Sequence, residues 1–275
     1  MIAEAIARYN ERHGFGSGFT PKAVLFDMDG VLYNSMPHHA IAWHRSMAEY
    51  GIEMSEEEAY MYEGMRGVET IRLMVKAQQG RDITMETAQM MYDRKSAIFS
   101  SLGEAKKMEG VEDLMRQIKS CGLKICVVTG SGQHTLIDHL EEEFAGLIHR
   151  DLMVTSYDVK RGKPQPDPYL MGLEKCGVKP WEAVVVENAP LGVRAGVAAE
   201  IFTVAVNTGP LPDKILADEG ADLVFRRMTD FRDAWMKWTR SLTPDPSPEG
   251  EGSRSTRHSA TSDQSDLSDP SDKIL

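Results

Sequence analysis

Two aspartates one residue apart follow the first apolar run of the chain. The run Ala-Val-Leu-Phe at residues 23–26 leads directly into Asp27, Met28, Asp29 and Gly30. If that run is a strand of an open α/β sheet, Asp27 lies at the carboxyl edge, where such sheets bind their ligands. Gly30 allows the tight turn that brings the backbone close to an anion. These carboxylates could attack an electrophile or hold a metal ion, although an Asp-x-Asp pair taken alone is more typical of a solvated loop.

A glycine-rich stretch follows a second apolar run. Residues 124–129 pass into Gly130, Ser131 and Gly132 just before a helical segment. The backbone N–H groups of such a loop, together with the hydroxyls of Thr129 and Ser131, can hold phosphate oxygens. An ordinary strand-to-helix turn explains the same residues equally well.

A third stretch places a lysine between residues that restrict the backbone. Lys163 is flanked by Gly162 and Pro164, and Pro166 follows two residues later. The fixed φ of proline stiffens this loop. An ammonium held there would neutralise charge between an attacking carboxylate and a phosphate. The alternative is a surface lysine beside the start of a helix.

Oxygen donors end a fourth stretch. The apolar run at 183–186 is followed by Glu187 and Asn188, and carboxylate and amide oxygens suit the octahedral shell of Mg2+. Three of the four stretches end an apolar run, and the other opens a helix. Because the carboxyl ends of parallel strands meet at one edge, the four stretches together indicate a single site for phosphoryl chemistry.

The elements that must position these residues follow from the apolar runs. The runs are rich in valine and isoleucine and do not alternate with polar residues, which is typical of parallel strands covered on both faces. Helical segments at 111–121, 133–144 and 190–199 separate them. The pattern predicts an α/β fold with a doubly wound parallel sheet. The predicted strands are 23–26, 124–129, 152–157, 183–186, 201–206 and 221–225.

One connection is far longer than such a sheet needs. Nearly 100 residues separate the first two predicted strands, whereas a complete strand–helix–strand unit takes about 30 residues. The capping pair Ser55 and Glu58, and the glycines Gly51 and Gly80, mark helix ends within this segment. We therefore predict an inserted helical cap over residues 36–105. Its helices are predicted at 37–50, 56–63, 67–79 and 85–100.

The cap divides the predicted core into residues 21–35 and 106–240. Residues 1–20 form an N-terminal extension with a short amphipathic helix that ends at Gly14. Residues 241–275 are rich in serine and proline and poor in apolar side chains. Such a segment cannot bury enough surface to offset its ordering entropy, so we predict a disordered tail.

The composition argues against several classes of protein. A net charge of -11 disfavours a nucleic-acid or acidic-membrane binder, because nothing offsets phosphate repulsion. The cysteines are odd in number and lack metal-ligand spacing, which indicates reduced thiols. The chain begins without the features of a secretion signal, and no apolar run approaches the roughly 18 residues that span a bilayer. We expect a cytoplasmic monomer.

The four stretches together resemble the motifs of the haloacid dehalogenase (HAD) superfamily. The helical insertion is similar to that of its C1-capped, β-phosphoglucomutase-like branch. Within that branch, the chain more specifically resembles a HAD-type inorganic pyrophosphatase. This resemblance lies in the longer stretches DMDGVLYNSMPHHAIAWH, VVTGSG, VKRGKPQPDPYLMGL and VVVENAPLGVRAG. It covers residues 22–238, so the N-terminal extension and the tail lie outside it.

The resemblance implies a covalent mechanism. Asp27 attacks phosphorus and forms an aspartyl-phosphate, and we expect it to be ionised at neutral pH without special tuning. Asp29 is the general acid for the leaving group and then the base for water, and a neighbouring carboxylate helps to keep it protonated. Thr129 and Lys163 stabilise the equatorial oxygens of the phosphoryl group.

The resemblance also implies a metal cofactor. Mg2+ is held by Asp27, the backbone carbonyl of Asp29 and Asn188, with Glu187 close behind. Many relatives carry an aspartate where Asn188 stands, so one negative charge is missing here. The cap is expected to compensate, because Glu63 approaches the metal in the resembling pyrophosphatase.

These residues favour hydrolysis of a small phosphorylated compound. The cap residues Lys95 and His39 are implied by the resemblance to lie near the substrate. Diphosphate is the first choice, because its leaving phosphate departs with little acid help and its other end needs a cation such as Lys95. The alternative is a β-phosphoglucomutase or a sugar-phosphate phosphatase. A remote alternative is an inactive phosphate-binding protein, with Asn188 as the sign of lost activity.

Overall fold

The strands of the described chain form one parallel sheet. The computed structural model describes residues 1–15, 18–130 and 134–242, and its strand order is β3-β2-β1-β4-β5-β6. The strands are β1 (Ala23–Phe26), β2 (Lys124–Val128), β3 (Met153–Val154), β4 (Ala183–Glu187), β5 (Phe202–Val206) and β6 (Leu223–Phe225). The predicted α/β fold with a doubly wound parallel sheet is confirmed.

Helices cover both faces of this sheet and fill the long connection after β1. The connection contains four helices, α2 to α5, as predicted for the cap segment. In chain order the helices are α1 (Ile2–His13), α2 (Met36–Ala48), α3 (Glu56–Met61), α4 (Gly67–Gln79), α5 (Met85–Ser101), α6 (Val111–Ser120), α7 (His134–Glu143), α8 (Asp167–Cys176), α9 (Pro190–Ala198), α10 (Asp213–Asp218) and α11 (Met228–Leu242).

Strand β1 lies in the middle of the sheet and is buried on both faces. Val24 and Phe26 pack in the apolar cluster that includes residues of α6 and α11, whereas Leu25 packs on the other face against α8. Burial on both faces explains why the apolar run does not alternate with polar residues. Because β2 and β4 flank β1, the next residue, Asp27, emerges at the carboxyl edge between these two strands.

Strand β3 is shorter than the predicted range 152–157. The backbone N–H and the hydroxyl of Thr155 both donate to Oδ2 of Asp158, each at 2.8 Å. These hydrogen bonds to a side chain replace the next inter-strand hydrogen bonds and turn the chain out of the sheet.

The cap segment has an apolar cluster of its own, so its helices pack together. Methionine and aliphatic side chains from α2, α4 and α5 meet there with one tryptophan. The buried members include Trp43, Met47, Ile71, Met74 and Met91.

Helix α3 begins as predicted and ends earlier. Ser55 Oγ accepts a hydrogen bond from the backbone N–H of Glu58 at 3.1 Å, and the Glu58 carboxylate accepts one from the N–H of Ser55 at 2.8 Å. The helix ends at Met61 rather than at residue 63. Glu63 therefore lies in the loop between α3 and α4.

Helix α1 packs directly on the core. Tyr9 is fully buried and its hydroxyl donates to the carbonyl of Glu200 at 2.7 Å. The helix ends at Gly14 with φ of 64°, as predicted. Residues 1–242 form one compact unit, so the division into extension, core and cap stays an interpretation.

The end of the described chain is helical. Helix α11 continues to Leu242, so the first two residues of the predicted tail are helical, and residues 243–275 lie outside the described ranges. Among the helices of the described ranges, none has the length and apolar character needed to cross a bilayer. The cytoplasmic location and the monomeric state stay predictions.

Candidate active site

The site is centred on Asp27 and a lysine that contacts it. The backbone N–H of Asp27 donates to the carbonyl of Val186 at 2.9 Å, which holds the residue at the end of the sheet. Lys163 Nζ donates to Oδ1 of Asp27 at 2.5 Å, to Oε1 of Glu187 at 2.6 Å and to the carbonyl of Val128 at 3.2 Å. The contacts of Lys163 thus bring together residues from all four predicted stretches, since Val128 belongs to the run that leads into Gly130.

Burial strongly affects the charges of this cluster. Burial raises the pKa of Asp27 well above its usual value, while the charge of Lys163 lowers it and the carboxylates of Glu187 and Asp29 raise it further. Burial lowers the pKa of Lys163, but the charges of Asp27 and Glu187 outweigh it, so the pKa is raised overall. The expectation that Asp27 needs no special tuning is therefore wrong, because its ionised form depends on Lys163.

Asp29 is held by the beginning of the cap. Its Oδ1 accepts a hydrogen bond from Ser35 Oγ at 2.6 Å and lies 3.1 Å from Nε2 of His39. Burial raises the pKa of Asp29, but the electrostatic attraction of His39 and the hydrogen bonds from His39 and Ser35 outweigh burial and lower it to about 2. The expectation that a neighbouring carboxylate keeps Asp29 protonated is wrong, because the cap supplies donors.

Lys95 connects this carboxylate to the interior of the cap. Its side chain is 4% exposed, and Nζ lies 2.7 Å from Nδ1 of His39 and 5.1 Å from the ring centres of both Trp43 and Phe99. Burial lowers the pKa of Lys95 to about 8, and the carboxylates of Glu63 and Asp29 oppose this shift. When the ammonium donates to Nδ1, the proton on Nε2 of His39 points to Asp29.

The surroundings of Asn188 test whether a metal ion would fit beside Asp27. The residue is 2% exposed, and neither its amide oxygen nor its amide nitrogen has a hydrogen-bond partner among the residues that the structure describes. It packs on Gly30, where an added Cβ would lie 1.9 Å from Nδ2. A buried amide without partners is rare unless a ligand completes it. Together with the carboxylate of Asp27 and the backbone carbonyl of Asp29, this amide oxygen would form a set of donors that fits Mg2+.

Within residues 1–15, 18–130 and 134–242, no group of three or more histidine, cysteine, aspartate or glutamate side chains is placed to hold a metal ion. A cation at this site would therefore need amide or backbone oxygens, and water, beside the carboxylates.

Glu187 is fully engaged by protein donors. Its Oε1 accepts hydrogen bonds from Lys163 and from the hydroxyl of Tyr169 at 2.6 Å, and its Oε2 accepts one from the backbone N–H of Asn188 at 3.0 Å. These contacts hold Lys163 in place. The role of Glu187 near the metal stays a prediction.

A cavity of about 480 Å³ lies between the cap segment and the ends of the strands. The predicted residues at its wall come from both sides. They are Asp27, Asp29, His39, Glu63, Lys95 and Gly130. Aromatic side chains of the cap form much of the remaining wall, with Trp43, Tyr62, Tyr92 and Phe99. The cavity is large enough for a small phosphorylated compound.

The phosphate loop after β2 is described only in part. Thr129 is buried at the end of β2, and its backbone N–H donates to the carbonyl of Val154 at 2.9 Å. Gly130 lines the cavity. Ser131 and Gly132 lie outside the described residues, so their roles stay predictions.

Two residues of the site were not predicted from the sequence. Ser35 occupies the N-cap position of α2 but makes no capping hydrogen bond, and its hydroxyl donates to Asp29. The sequence does show a serine directly before a predicted helix, but that pattern indicates an N-cap residue and not a contact with Asp29. Tyr169 lies within α8 and carried no signal of its contact with Glu187.

Comparison with known proteins shows the family. A family model described as haloacid dehalogenase-like hydrolase matches residues 24–206, and the chain belongs to this family. Hexitol phosphatase A of Escherichia coli (strain K12) is 31% identical over 192 residues, which cover 68% of this chain and 83% of that protein. The phosphorylated carbohydrates phosphatase of Thermotoga maritima is 31% identical over 206 residues, which cover 73% of this chain and 92% of that protein.

Solved structures place the chain within the family. A Bacteroides vulgatus protein described as a candidate β-phosphoglucomutase has 49% sequence identity and a TM-score of 0.83, with 88% of this chain and 98% of that chain covered. The β-phosphoglucomutase of Clostridium difficile shares the fold, with a TM-score of 0.66 at 22% identity over 81% of this chain and 99% of that chain. The predicted β-phosphoglucomutase-like branch is confirmed, and the protein is an enzyme of the HAD type.

Proposed function

We propose that the protein is a Mg2+-dependent phosphohydrolase that forms an aspartyl-phosphate on Asp27. The observation that carries the proposal is the contact of 2.5 Å between Lys163 Nζ and Oδ1 of the buried Asp27, which lines the cavity. A carboxylate beside a fixed ammonium can attack a phosphorus atom whose charge that ammonium offsets. The names of the phosphatase relatives support the same class of reaction.

The reaction takes place in two displacements. A carboxylate oxygen of Asp27 bonds to phosphorus while the bond from phosphorus to the leaving oxygen breaks. Water then attacks phosphorus, the bond to Asp27 breaks, and phosphate is released. Asp29 is ionised and lies at the cavity wall, so its carboxylate can accept the proton of that water.

A cation would lie between these residues. Asp27, the backbone carbonyl of Asp29 and the unpartnered amide of Asn188 would hold Mg2+, which would offset the charge of the phosphoryl oxygens. The role of Glu63 as a further ligand belongs to the same proposal, supported by its position at the cavity wall.

Diphosphate is the substrate that the polar contacts support best. Ser35 and His39 both hold Oδ1 of Asp29, which stabilises the carboxylate and weakens it as a general acid. Such a site suits a leaving group that departs without being protonated, as phosphate does. The buried ammonium of Lys95 lies 2.7 Å from His39 and at the cavity wall, and it would attract the phosphate that is not under attack.

A phosphorylated carbohydrate is the second candidate, and the comparisons favour it. The names of the E. coli and T. maritima relatives concern phosphorylated hexitols and carbohydrates, and none of the relatives named above acts on diphosphate by its name. The cavity of about 480 Å³ also exceeds the needs of diphosphate, and the rings of Trp43 and Tyr92 at its wall could stack on a sugar.

A substrate panel decides between the candidates. Phosphate release is measured with Mg2+ from diphosphate, a hexose 6-phosphate, a hexitol phosphate and an aryl phosphate, and conversion of glucose 1-phosphate to glucose 6-phosphate is followed separately. We expect kcat/KM to be highest for diphosphate. Faster turnover of a sugar phosphate would select the second candidate, and absence of Mg2+-dependent turnover of every compound would contradict the proposed function.

A further inference from the structure

The loop between α3 and α4 touches the core directly above catalytic residues. A Cβ added at Gly64 would lie 3.0 Å from Cδ of Lys163, and one added at Gly130 would lie 3.5 Å from the carbonyl oxygen of Gly64. The backbone of this loop therefore covers the lysine that contacts Asp27. Glu63, the residue before Gly64, also lines the cavity.

Arg66 makes a directed polar contact between this loop and the core. Its Nη2 donates to the carbonyl of Val159 at 2.7 Å. Its Cγ lies 3.4 Å from where a Cβ on Gly162 would be. Both partners belong to the core loop that leads into Lys163, so the contact joins the two loops that flank the site.

The same arginine also fixes the cap side of the contact. Arg66 is the N-cap residue of α4, and its carbonyl accepts hydrogen bonds from the N–H groups of Glu69 at 2.8 Å and Thr70 at 3.1 Å. The backbone of Arg66 is thereby tied to the first turn of a cap helix. A movement of α4 away from the core would break the bond to Val159.

The contact is not explained by stability alone. The Nε atom of Arg66 is buried and has no acceptor within the described ranges of the chain. A buried donor without an acceptor costs free energy that one hydrogen bond to a carbonyl barely offsets. Arginine at this position therefore fits a functional constraint better than a packing role.

We propose that Arg66 is a positioning residue that holds the cap loop closed on the core and so keeps residues 62–66 over Lys163. The proposal rests on the proposed phosphohydrolase function for its kinetic consequence, but closure itself does not depend on it. Without the bond, a smaller fraction of the free enzyme is closed, and apparent affinity falls by that fraction. Saturating substrate restores closure, so KM changes more than kcat.

The test compares Arg66→Met, Arg66→Lys and Arg94→Met. Methionine keeps the alkyl contact with Gly162 and removes the donor, whereas lysine keeps a donor that can reach Val159. Arg94 serves as the control, because it pairs with Glu49 on the exposed surface of the cap, at 2.6 Å. Hydrogen–deuterium exchange is measured for peptides covering 62–66 and 159–163, and kcat and KM are measured on the best substrate of the panel.

For Arg66→Met we expect faster hydrogen–deuterium exchange in both loops. KM should rise roughly tenfold, the size expected from the loss of one charged hydrogen bond, while kcat should stay within about twofold. Arg66→Lys should recover most of both effects, and Arg94→Met should match wild type. Unchanged exchange in Arg66→Met would overturn the proposal, and so would a loss of kcat that follows a fall in Tm. If wild type has no phosphatase activity, the proposed function fails while the exchange result still decides closure.

Discussion

Lys163 Nζ lies 2.5 Å from Oδ1 of Asp27, and both side chains are buried. The same ammonium also contacts Glu187 at 2.6 Å, so one positive charge serves two carboxylates. Asp29 adds a further negative charge beside them. An anionic phosphate would be repelled by this excess of negative charge, which a divalent cation would offset. The charge balance therefore supports the proposal that the reaction needs Mg2+.

Replacement of the nucleophile gives the first prediction. Asp27→Asn fits the same space but cannot bond to phosphorus, so turnover should fall by about 10³-fold or more. The far-ultraviolet circular dichroism spectrum should stay that of wild type. Trapping of a beryllofluoride adduct with Mg2+ should also be lost. A variant that keeps a substantial fraction of the wild-type rate would contradict the covalent mechanism.

The second prediction concerns stability without Lys163. Lys163→Met leaves Asp27 and Glu187 buried without their cation, and removal of one partner from a buried ion pair costs about 3–5 kcal/mol. The pKa of Asp27, already raised by burial, should rise further. The folded state then binds more protons than the unfolded state, so the free energy of unfolding increases as the pH falls.

Urea unfolding at pH 8 and pH 5 in the absence of Mg2+ checks this prediction. The free energy of unfolding of Lys163→Met should be lower than that of wild type at both pH values, and the difference should be smaller at pH 5. Lys214→Met is the matched control, because Lys214 pairs with Asp218 on the exposed surface, and it should show a small effect with little pH dependence. A loss in the free energy of unfolding that becomes larger at pH 5 would mean that the unpaired carboxylates of Asp27 and Glu187 do not cause it.

The sequence was sufficient to find the residues that follow buried strands. Asp27, Thr129 and Asn188 each come directly after a strand, and parallel strands bring such positions together. Lys163 could be found because prolines restrict its loop. The order of apolar runs also predicted the sheet, although the side chain of Asp158 ended β3 earlier than hydrophobicity indicates.

Contacts between separate elements could not be predicted in this way. The charge state of Asp29 depends on Ser35 and His39, which reach it only because α2 begins directly above the sheet. Tyr169 and Arg66 contact residues that are distant in the sequence, at positions set by helix packing. No local pattern records such a pairing, since many side chains at those positions would satisfy the helix itself.

The third prediction concerns the packing of Asn188 on Gly30. In Gly30→Ala the added Cβ would lie 1.9 Å from Nδ2 of Asn188, so the amide must move and Mg2+ affinity should fall. Gly146→Ala is the control, because Gly146 has nearly the same φ, 77° against 75°, and nothing within 4 Å of the added Cβ. Both variants should lose about 1 kcal/mol of stability from the left-handed backbone.

Isothermal titration with Mg2+ separates the two effects. Only Gly30→Ala should bind the cation more weakly. If the amide of Asn188 is displaced as a ligand, Kd should rise by tenfold or more, because disturbed metal sites usually lose about 10–100-fold in affinity. Equal Mg2+ affinity in the two variants would place Asn188 outside the metal shell.

The last prediction tests Glu63 and, through it, the substrate. Glu63 lies in the loop after α3 and lines the cavity with Asp27 and Asp29. If its carboxylate completes the metal shell from the cap, closure of the cap selects a substrate short enough to fit beneath it. Glu63→Gln should then reduce kcat/KM for diphosphate by roughly a hundredfold, which is about 3 kcal/mol of transition-state stabilisation. Hydrolysis of an aryl phosphate, which does not need the same closure, should fall far less.

Glu69→Gln provides the control for charge alone, because Glu69 is exposed on the next cap helix and should leave both substrates unaffected. Asn188→Asp combined with Glu63→Gln should recover part of the diphosphate activity, since it restores one negative charge at the metal. Equal losses on both substrates would mean that Glu63 serves metal binding in general. No loss on either would place Glu63 outside the site, and both of these results would favour the phosphorylated carbohydrate over diphosphate.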